Sequence, residues 1–294
     1  MNPLAVGLVG AGPWAALVHA PVLAAGPETQ LVAVWARRSE AAEELARRHD
    51  AVACPSFDAL VERCEAVAFS VPPDVQAELA TRAARAGRPV LLEKPIAGSL
   101  DAARRLVDAI DAAAVGSLVV LTGRFAPAVR EFVDAASALD ATGGRSWFLS
   151  GAFLSGPFSQ SPWRHERGAL LDVGPHALDL ITAALGPGRV ADATSSGGGF
   201  VAITLAHDDG AVSQVSLCST LGLTDTRSGA EVYAAHGILA VDVQAAIGPH
   251  TFANLRREFA TVARVGASHA CDAHRGLEIQ ELLDAAERLV ARAT

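Results

Sequence analysis

A chain of 294 residues, 51% hydrophobic and 19% charged, is long enough for two domains of the usual ~100–200 residues, with ample apolar surface for their cores. Its net charge of −8 argues against a nucleic-acid backbone as main partner, because binding phosphates in series needs a basic surface. Cys54, Cys64, Cys218 and Cys271 form no CxxC pair and no HExxH occurs, so neither a disulfide framework nor a metal site is expected, and the cytoplasm is the expected compartment.

The first strand is predicted at Leu4-Ala-Val-Gly-Leu-Val, followed by the turn Gly10-Ala-Gly-Pro-Trp-Ala and a helix to about Ala25. Leu4–Gly26 carries no Asp, Glu, Lys or Arg, but no basic region precedes it, and Gly10, Gly12, Pro13 and Pro21 interrupt it. A buried strand, turn and helix is therefore expected there, with no membrane span. Leu31-Val-Ala-Val-Trp reads as a second strand. Ser39 then caps an amphipathic helix to His49, with Glu40, Glu43 and Glu44 in the early turns that favour acids. Ala66-Val-Ala-Phe-Ser-Val is a third strand, ended by Pro72-Pro73, and Asp74 to Ala86 is a helix closed by Gly87. Arg88-Pro-Val-Leu-Leu is a further strand, ending in Glu93-Lys94-Pro95. Strands alternating with helices of this length imply a parallel, doubly wound sheet.

The first turn carries a motif. Gly10-x-Gly12-x-x-Ala15 follows a strand and opens a helix, the context a dinucleotide-binding turn requires. Gly10 permits the tight turn, Gly12 lets backbone approach a pyrophosphate, and a small residue at 15 lets helix and strand pack closely. Gly10, Gly12, Pro13 and Trp14 are assigned to this cofactor site. A carboxylate ~20 residues beyond the glycines would bind the ribose 2′-hydroxyl of NAD. Here the strand end reads Trp35-Ala-Arg37-Arg38-Ser39, with no acid. Two guanidiniums offer forked donors to a 2′-phosphate, which favours NADP, with NAD retained as the second choice. The plainer reading is that Arg37 and Arg38 are solvated residues before a helix.

Lys94 also has two readings. A lysine at the carboxyl end of a parallel strand points toward the crevice where ligands of such sheets bind, and burying it asks for a partner. On spacing alone it is equally well a surface lysine paired with Glu93.

From about Ser117 the pattern changes to that of an α+β domain with a mainly antiparallel sheet. Leu118-Val-Val-Leu-Thr and Arg145-Ser-Trp-Phe-Leu-Ser flank a helix at about Pro127–Leu139. Gly199–His207 and Ala211–Ser219 are joined by Asp208-Asp209-Gly210, a hairpin signal, and Ala230–Ala235 pairs with Ile238–Val243. A last helix is expected over about Leu277–Ala291. Leu170–Leu185 is an apolar helix pattern closed by Gly186-Pro187; Asp172 and His176 stand four apart, on one face if a single helix includes both. Asp172 as a simple helix cap and His176 as a core histidine remain open on these residues alone.

The ordered set Gly10-Ala-Gly12, Val71-Pro72-Pro73, Glu93-Lys94-Pro95, Trp163-Arg164, Leu171-Asp172-Val-Gly-Pro-His176-Ala-Leu-Asp179 and Asp272-Ala-His-Arg-Gly276 resembles the Gfo/Idh/MocA oxidoreductases, the glucose–fructose oxidoreductase and inositol dehydrogenase type. The resemblance implies an N-terminal Rossmann domain over residues 1–116 and an open-sheet substrate and dimerisation domain over residues 117–294. It implies that Lys94 hydrogen-bonds the reacting oxygen near the nicotinamide and that Ser70, Pro72, Glu93 and Lys94 line the cofactor cleft. His176 is then the general acid/base, which suits an imidazole of unperturbed pKa ~6.5. Asp172 is its orienter or a ligand for a substrate hydroxyl, and Trp163, Arg164 and His165 are pocket residues, so that chemistry is expected between the domains. The chain departs from the family at Gln76, where many members have His, and at Ala15.

The expected function is hydride transfer between a nicotinamide, NADP by preference, and a CH–OH/C=O centre of a sugar, polyol or related small molecule. A homodimer or homotetramer is expected. The alternative is a protein of the same fold that binds NADP without turnover. A semialdehyde dehydrogenase would want a nucleophilic cysteine in the second domain, and Cys218, mid-strand, has no such setting.

Overall fold

The computed structural model describes residues 2–157, 159 and 161–293. It divides into two compact units, one reaching Val120 and taking back Phe252–Glu278, the other comprising Leu121–Thr251 and the chain from Ile279 on.

In the first unit, β1 (Leu4–Val9), β2 (Thr29–Trp35), β3 (Val52–Ala53), β4 (Ala66–Phe69), β5 (Val90–Leu92) and β6 (Ser117–Val119) form one parallel sheet, in the order β3-β2-β1-β4-β5-β6. This is the doubly wound order with its switch point at β1 and β4. The helices between the strands are α1 (Ala20–Ala24, preceded by a π turn at Ala15–His19), α2 (Ser39–Arg48), α3 (Phe57–Arg63), α4 (Pro73–Arg85) and α5 (Leu100–Ala113). Val6, Leu8, Val67, Ala68 and Leu92 are fully buried, the unbroken apolar pattern of strands covered on both faces. The charge-poor stretch at the start is thus a core strand, a turn and a short helix.

Some local expectations need correction. Ser39 is the first residue of α2, while Arg38 takes the cap position without a side-chain bond. The serines that do cap are Ser56, which accepts from Ala59 N–H, and Ser99, which accepts from Ala102 N–H. They start α3 and α5, two helices the periodicity did not reveal. The strand at Leu118, grouped by pattern with the second half, pairs in parallel with β5. Its position is fixed from far along the chain: Val119 N–H donates to the Cys271 carbonyl at 2.7 Å and Ala273 N–H to Ser117 Oγ at 3.0 Å. Gly87, at φ +73°, follows α4 where a helix-ending glycine was expected.

In the second unit, β7 (Ala141–Leu149), β8 (Gly188–Ser195), β9 (Val201–His207), β10 (Val212–Cys218), β11 (Arg227–Ala234) and β12 (Gly237–Asp242) form a sheet in the order β12-β11-β7-β10-β9-β8. Only β7 and β10 run parallel; the other pairs are antiparallel, including both expected hairpins. Residues of β9 alternate buried and half-buried, the period-2 signature of a sheet with one covered face. The helices α6 (Pro127–Ser137), α7 (Pro162–Asp172), α8 (Gly174–Leu185) and α9 (Val243–Ala246) accompany it, and α10 (Pro249–Val265) and α11 (Ala273–Ala293) complete the chain. Cys218 is buried at the end of β10, its Sγ 3.3 Å from Thr220 Oγ1. Pro162–Leu185, α7 and α8 taken together, is long and apolar enough to cross a membrane, but it is mostly buried inside the protein, as core helices are.

Candidate functional site

The carboxyl ends of β1, β2 and β4 converge on the glycine turn. Gly10 N–H donates to the Trp35 carbonyl and Ser70 N–H to the Val9 carbonyl, each at 2.8 Å. At Gly10 φ is +117°, and a Cβ there would stand 2.2 Å from the Ser70 carbonyl oxygen, so only glycine fits between the strand ends. At Gly12 a Cβ would meet nothing within 4 Å. Open space over bare backbone is what close approach of a pyrophosphate needs, so these residues fit a dinucleotide. Pro13 is exposed and Trp14 half-buried before the π turn, while Arg37 and Arg38 stand exposed between β2 and α2. Gly10→Ala is expected to cost about 1–3 kcal/mol of backbone strain and to weaken dinucleotide binding. A fluorescence titration with NADP checks this, and a folded variant with undiminished affinity would refute it.

The Glu93-Lys94-Pro95 turn follows β5 directly, with a cis peptide between Lys94 and Pro95. Lys94 is half-buried. Glu93 does not serve merely as a surface counter-charge: its Oε1 accepts from Trp14 Nε1 and lies 2.7 Å from His19 Nε2. A carboxylate only accepts, so that ring nitrogen carries the proton. His19 is 2% exposed, and this tie joins the end of the π turn to the Lys94 turn. Sequence reasoning passed over His19, although it is the one titratable side chain in the otherwise charge-free stretch Leu4–Gly26.

A second tie comes from Gln76 in the first turn of α4, whose amide bonds the backbone around Lys94. Ser70 is half-buried just past β4, and Pro72, exposed, holds the cap position of α4.

In the second unit Asp172 and His176 do not lie on one continuous helix. Asp172 is the last residue of α7, Val173 keeps helical-region dihedrals (φ −113°, ψ −15°) and α8 starts at Gly174, so the chain bends there, while the non-helical residue is Gly168 inside α7, at φ +69° and ψ −173°. Pro175 is the cause: it has no N–H to donate to the carbonyl four residues back, so the ladder stops and restarts with proline in the new first turn. Asp172 is buried, and Arg164 Nε lies 3.3 Å from its Oδ1, with that guanidinium 5.4 Å from the Trp163 ring centroid. Trp163, Arg164 and Asp172 are thereby brought together. His165 makes contacts of its own, donating to the Ser159 carbonyl at 2.6 Å and packing against Phe153. His176 is half-buried in the first turn of α8, its ring stacked on Phe148 with centroids 5.7 Å apart.

Residues 4–120 match the family model for Gfo/Idh/MocA proteins, described as an oxidoreductase family with an NAD-binding Rossmann fold. Over that stretch the chain is similar to the NAD-binding domain of these oxidoreductases. A dTDP-3,4-didehydro-2,6-dideoxy-alpha-D-glucose 3-reductase of Streptomyces violaceoruber is 35% identical over 199 residues, 63% of this chain and 56% of that protein. Alignment with that reductase therefore leaves a large part of its length unmatched. Among solved structures, the fold is shared with GenD2 from gentamicin A biosynthesis in complex with NAD, at TM-score 0.87 and 22% identity, covering 100% of this chain and 96% of that one. Levoglucosan dehydrogenase in complex with NADH and L-sorbose gives TM-score 0.88 at 19% identity, covering 100% and 98%. At such identities the likeness speaks for fold alone.

Proposed function

We propose that this protein is an oxidoreductase transferring hydride between a nicotinamide cofactor, NADP in preference to NAD, and a CH–OH/C=O centre of a sugar, polyol or related small molecule. The observation that carries the reading is the pairing, on the carboxyl edge of one parallel sheet, of an open glycine turn with a half-buried lysine on a doubly anchored turn. Gly10, Gly12, Pro13, Trp14, Arg37, Arg38, Ser70, Pro72 and Glu93 are the residues that would hold the cofactor, whose nicotinamide accepts or gives the hydride. Lys94 donates a hydrogen bond to the reacting oxygen and stabilises charge that develops there. His176 takes the hydroxyl proton in oxidation and returns it in reduction. Asp172, held beside Arg164, orients His176 or accepts from a substrate hydroxyl; Trp163 and Arg164 support that carboxylate, and His165 borders the pocket. The sugar-type substrate class follows the names of the relatives above. A homodimer or homotetramer in the cytoplasm completes the reading, and the oligomer is checked by light scattering on the eluted protein.

The test is a turnover screen of polyols, sugars and a dTDP-linked ketosugar, with NADP and NAD side by side. Binding of NADP without turnover across the panel would favour the non-enzymatic alternative instead. Cofactor choice is tested separately: replacing both Arg37 and Arg38 with alanine should weaken NADP binding by about 10- to 100-fold, the worth of hydrogen bonds to a charged phosphate, and leave NAD unaffected. A wild-type protein that binds NAD more tightly than NADP would overturn the arginine argument.

A further inference from the structure

Where β5 ends at Leu92, the sheet ladder stops, and the backbone that carries Lys94 needs other partners. Several of them come from one side chain. Gln76, on the covered face of α4 and 0% exposed, accepts from Glu93 N–H through Oε1 at 2.9 Å. Its Nε2 donates to the Glu93 carbonyl at 2.7 Å and lies 3.3 Å and 3.2 Å from the carbonyls of Pro95 and Ile96. Three carbonyls require the NH2 and one N–H requires the oxygen, so the amide orientation is determined by its surroundings. The bonded atoms flank Lys94 on both sides.

We propose that Gln76 is the positioning residue of Lys94, fixing the lysine's backbone so that its ammonium is presented to the reacting oxygen. This rests on the reading of Lys94 given above. Only a side chain with both a donor and an acceptor can hold this turn. Methionine, of similar length, offers neither in useful strength; glutamate keeps the acceptor but sets negative charge against three carbonyls. Imidazole retains one donor and one acceptor.

The experiment measures kcat, KM and NADP affinity for Gln76→Met, Gln76→His, Lys94→Met and the double variant Gln76→Met/Lys94→Met, at a temperature where circular dichroism shows each folded. Gln76→Met is expected to lower kcat by about 10- to 100-fold, the scale of a misplaced reacting group, with NADP affinity held. Gln76→His should restore much of the loss. In the Lys94→Met background, Gln76→Met should change kcat no further, because the group it positions is gone. An equal loss of kcat in both backgrounds, or wild-type kcat in Gln76→Met, would overturn the positioning role while leaving Lys94 in place. Wild-type kcat in Lys94→Met would instead sink the functional reading, and this proposal with it. Should Gln76→Met not fold, Gln76→Glu against Gln76→His gives the same comparison: equal kcat in those two variants refutes the proposal.

Discussion

Lys94→Met is expected to lower kcat by about 10²–10³-fold, the loss found when one preorganised donor to a developing oxyanion is removed. The substitution keeps the length and apolar stem of the side chain and removes only its ammonium. Its neighbours give reason to expect an intact turn, since Glu93 remains bonded to Trp14 and His19, and Gln76 remains bonded to the backbone. NADP affinity should therefore hold while turnover falls. His176→Ala should lower kcat by about 10²–10⁴-fold through loss of the proton-transferring group. His176 and the Phe148 ring it stacks on are both only half-buried, so the fold is expected to survive its removal. Steady-state kinetics on any substrate active in the screen decide the matter, and full turnover in both variants would refute the assignment.

The second large effect is on stability. Arg124, in a 3-10 turn at Thr122–Phe125, sets its Nη1 3.0 Å and 3.2 Å from the two carboxylate oxygens of Asp179 on α8. The side chains are 13% and 2% exposed, so both charges are largely out of water. Such a pair adds little over an apolar replacement of both members, yet removing one partner leaves a buried charge without its counter-ion. Arg124→Met is expected to lower stability by about 3–5 kcal/mol. At this chain length that corresponds to a fall in Tm of roughly 10 °C. Asp179 lies one turn beyond His176, so the pair also anchors the helix that presents the histidine. Thermal unfolding followed by circular dichroism is the measurement, and a Tm within a degree or two of wild type would show the carboxylate to be satisfied without Arg124.

Legibility divides along a physical line. Strand–turn–helix alternation, the glycine turn, the hairpin at Asp208-Asp209-Gly210 and the glycine after α4 are written in periodicity and turn chemistry, which act over a few residues. So is the positive φ at Gly10, since a tight turn after a strand demands it. β3 has two residues and α3 seven, too short for a clear period, whereas α5, 14 residues behind the capping Ser99 with Leu106, Val107 and Ile110 buried, carries a full helical pattern that was passed over. The break at Val173 was foreshadowed by Pro175, but an apolar run on both sides of it looks the same whether or not the helix continues.

Periodicity and turn chemistry announce the class of the molecule: a doubly wound parallel sheet opened by a nucleotide-type turn, then a mainly antiparallel sheet, with a lysine at a strand end. The tertiary structure decided what each polar group touches. Gln76 meets a backbone 17 residues away and His19 a carboxylate 74 residues away, and the strand at Leu118 joins the first sheet partly through Cys271. A buried donor or acceptor must find a partner, but nothing local says which one. That choice is made only when distant segments pack, and here it separates a lysine in a turn from a lysine held in place.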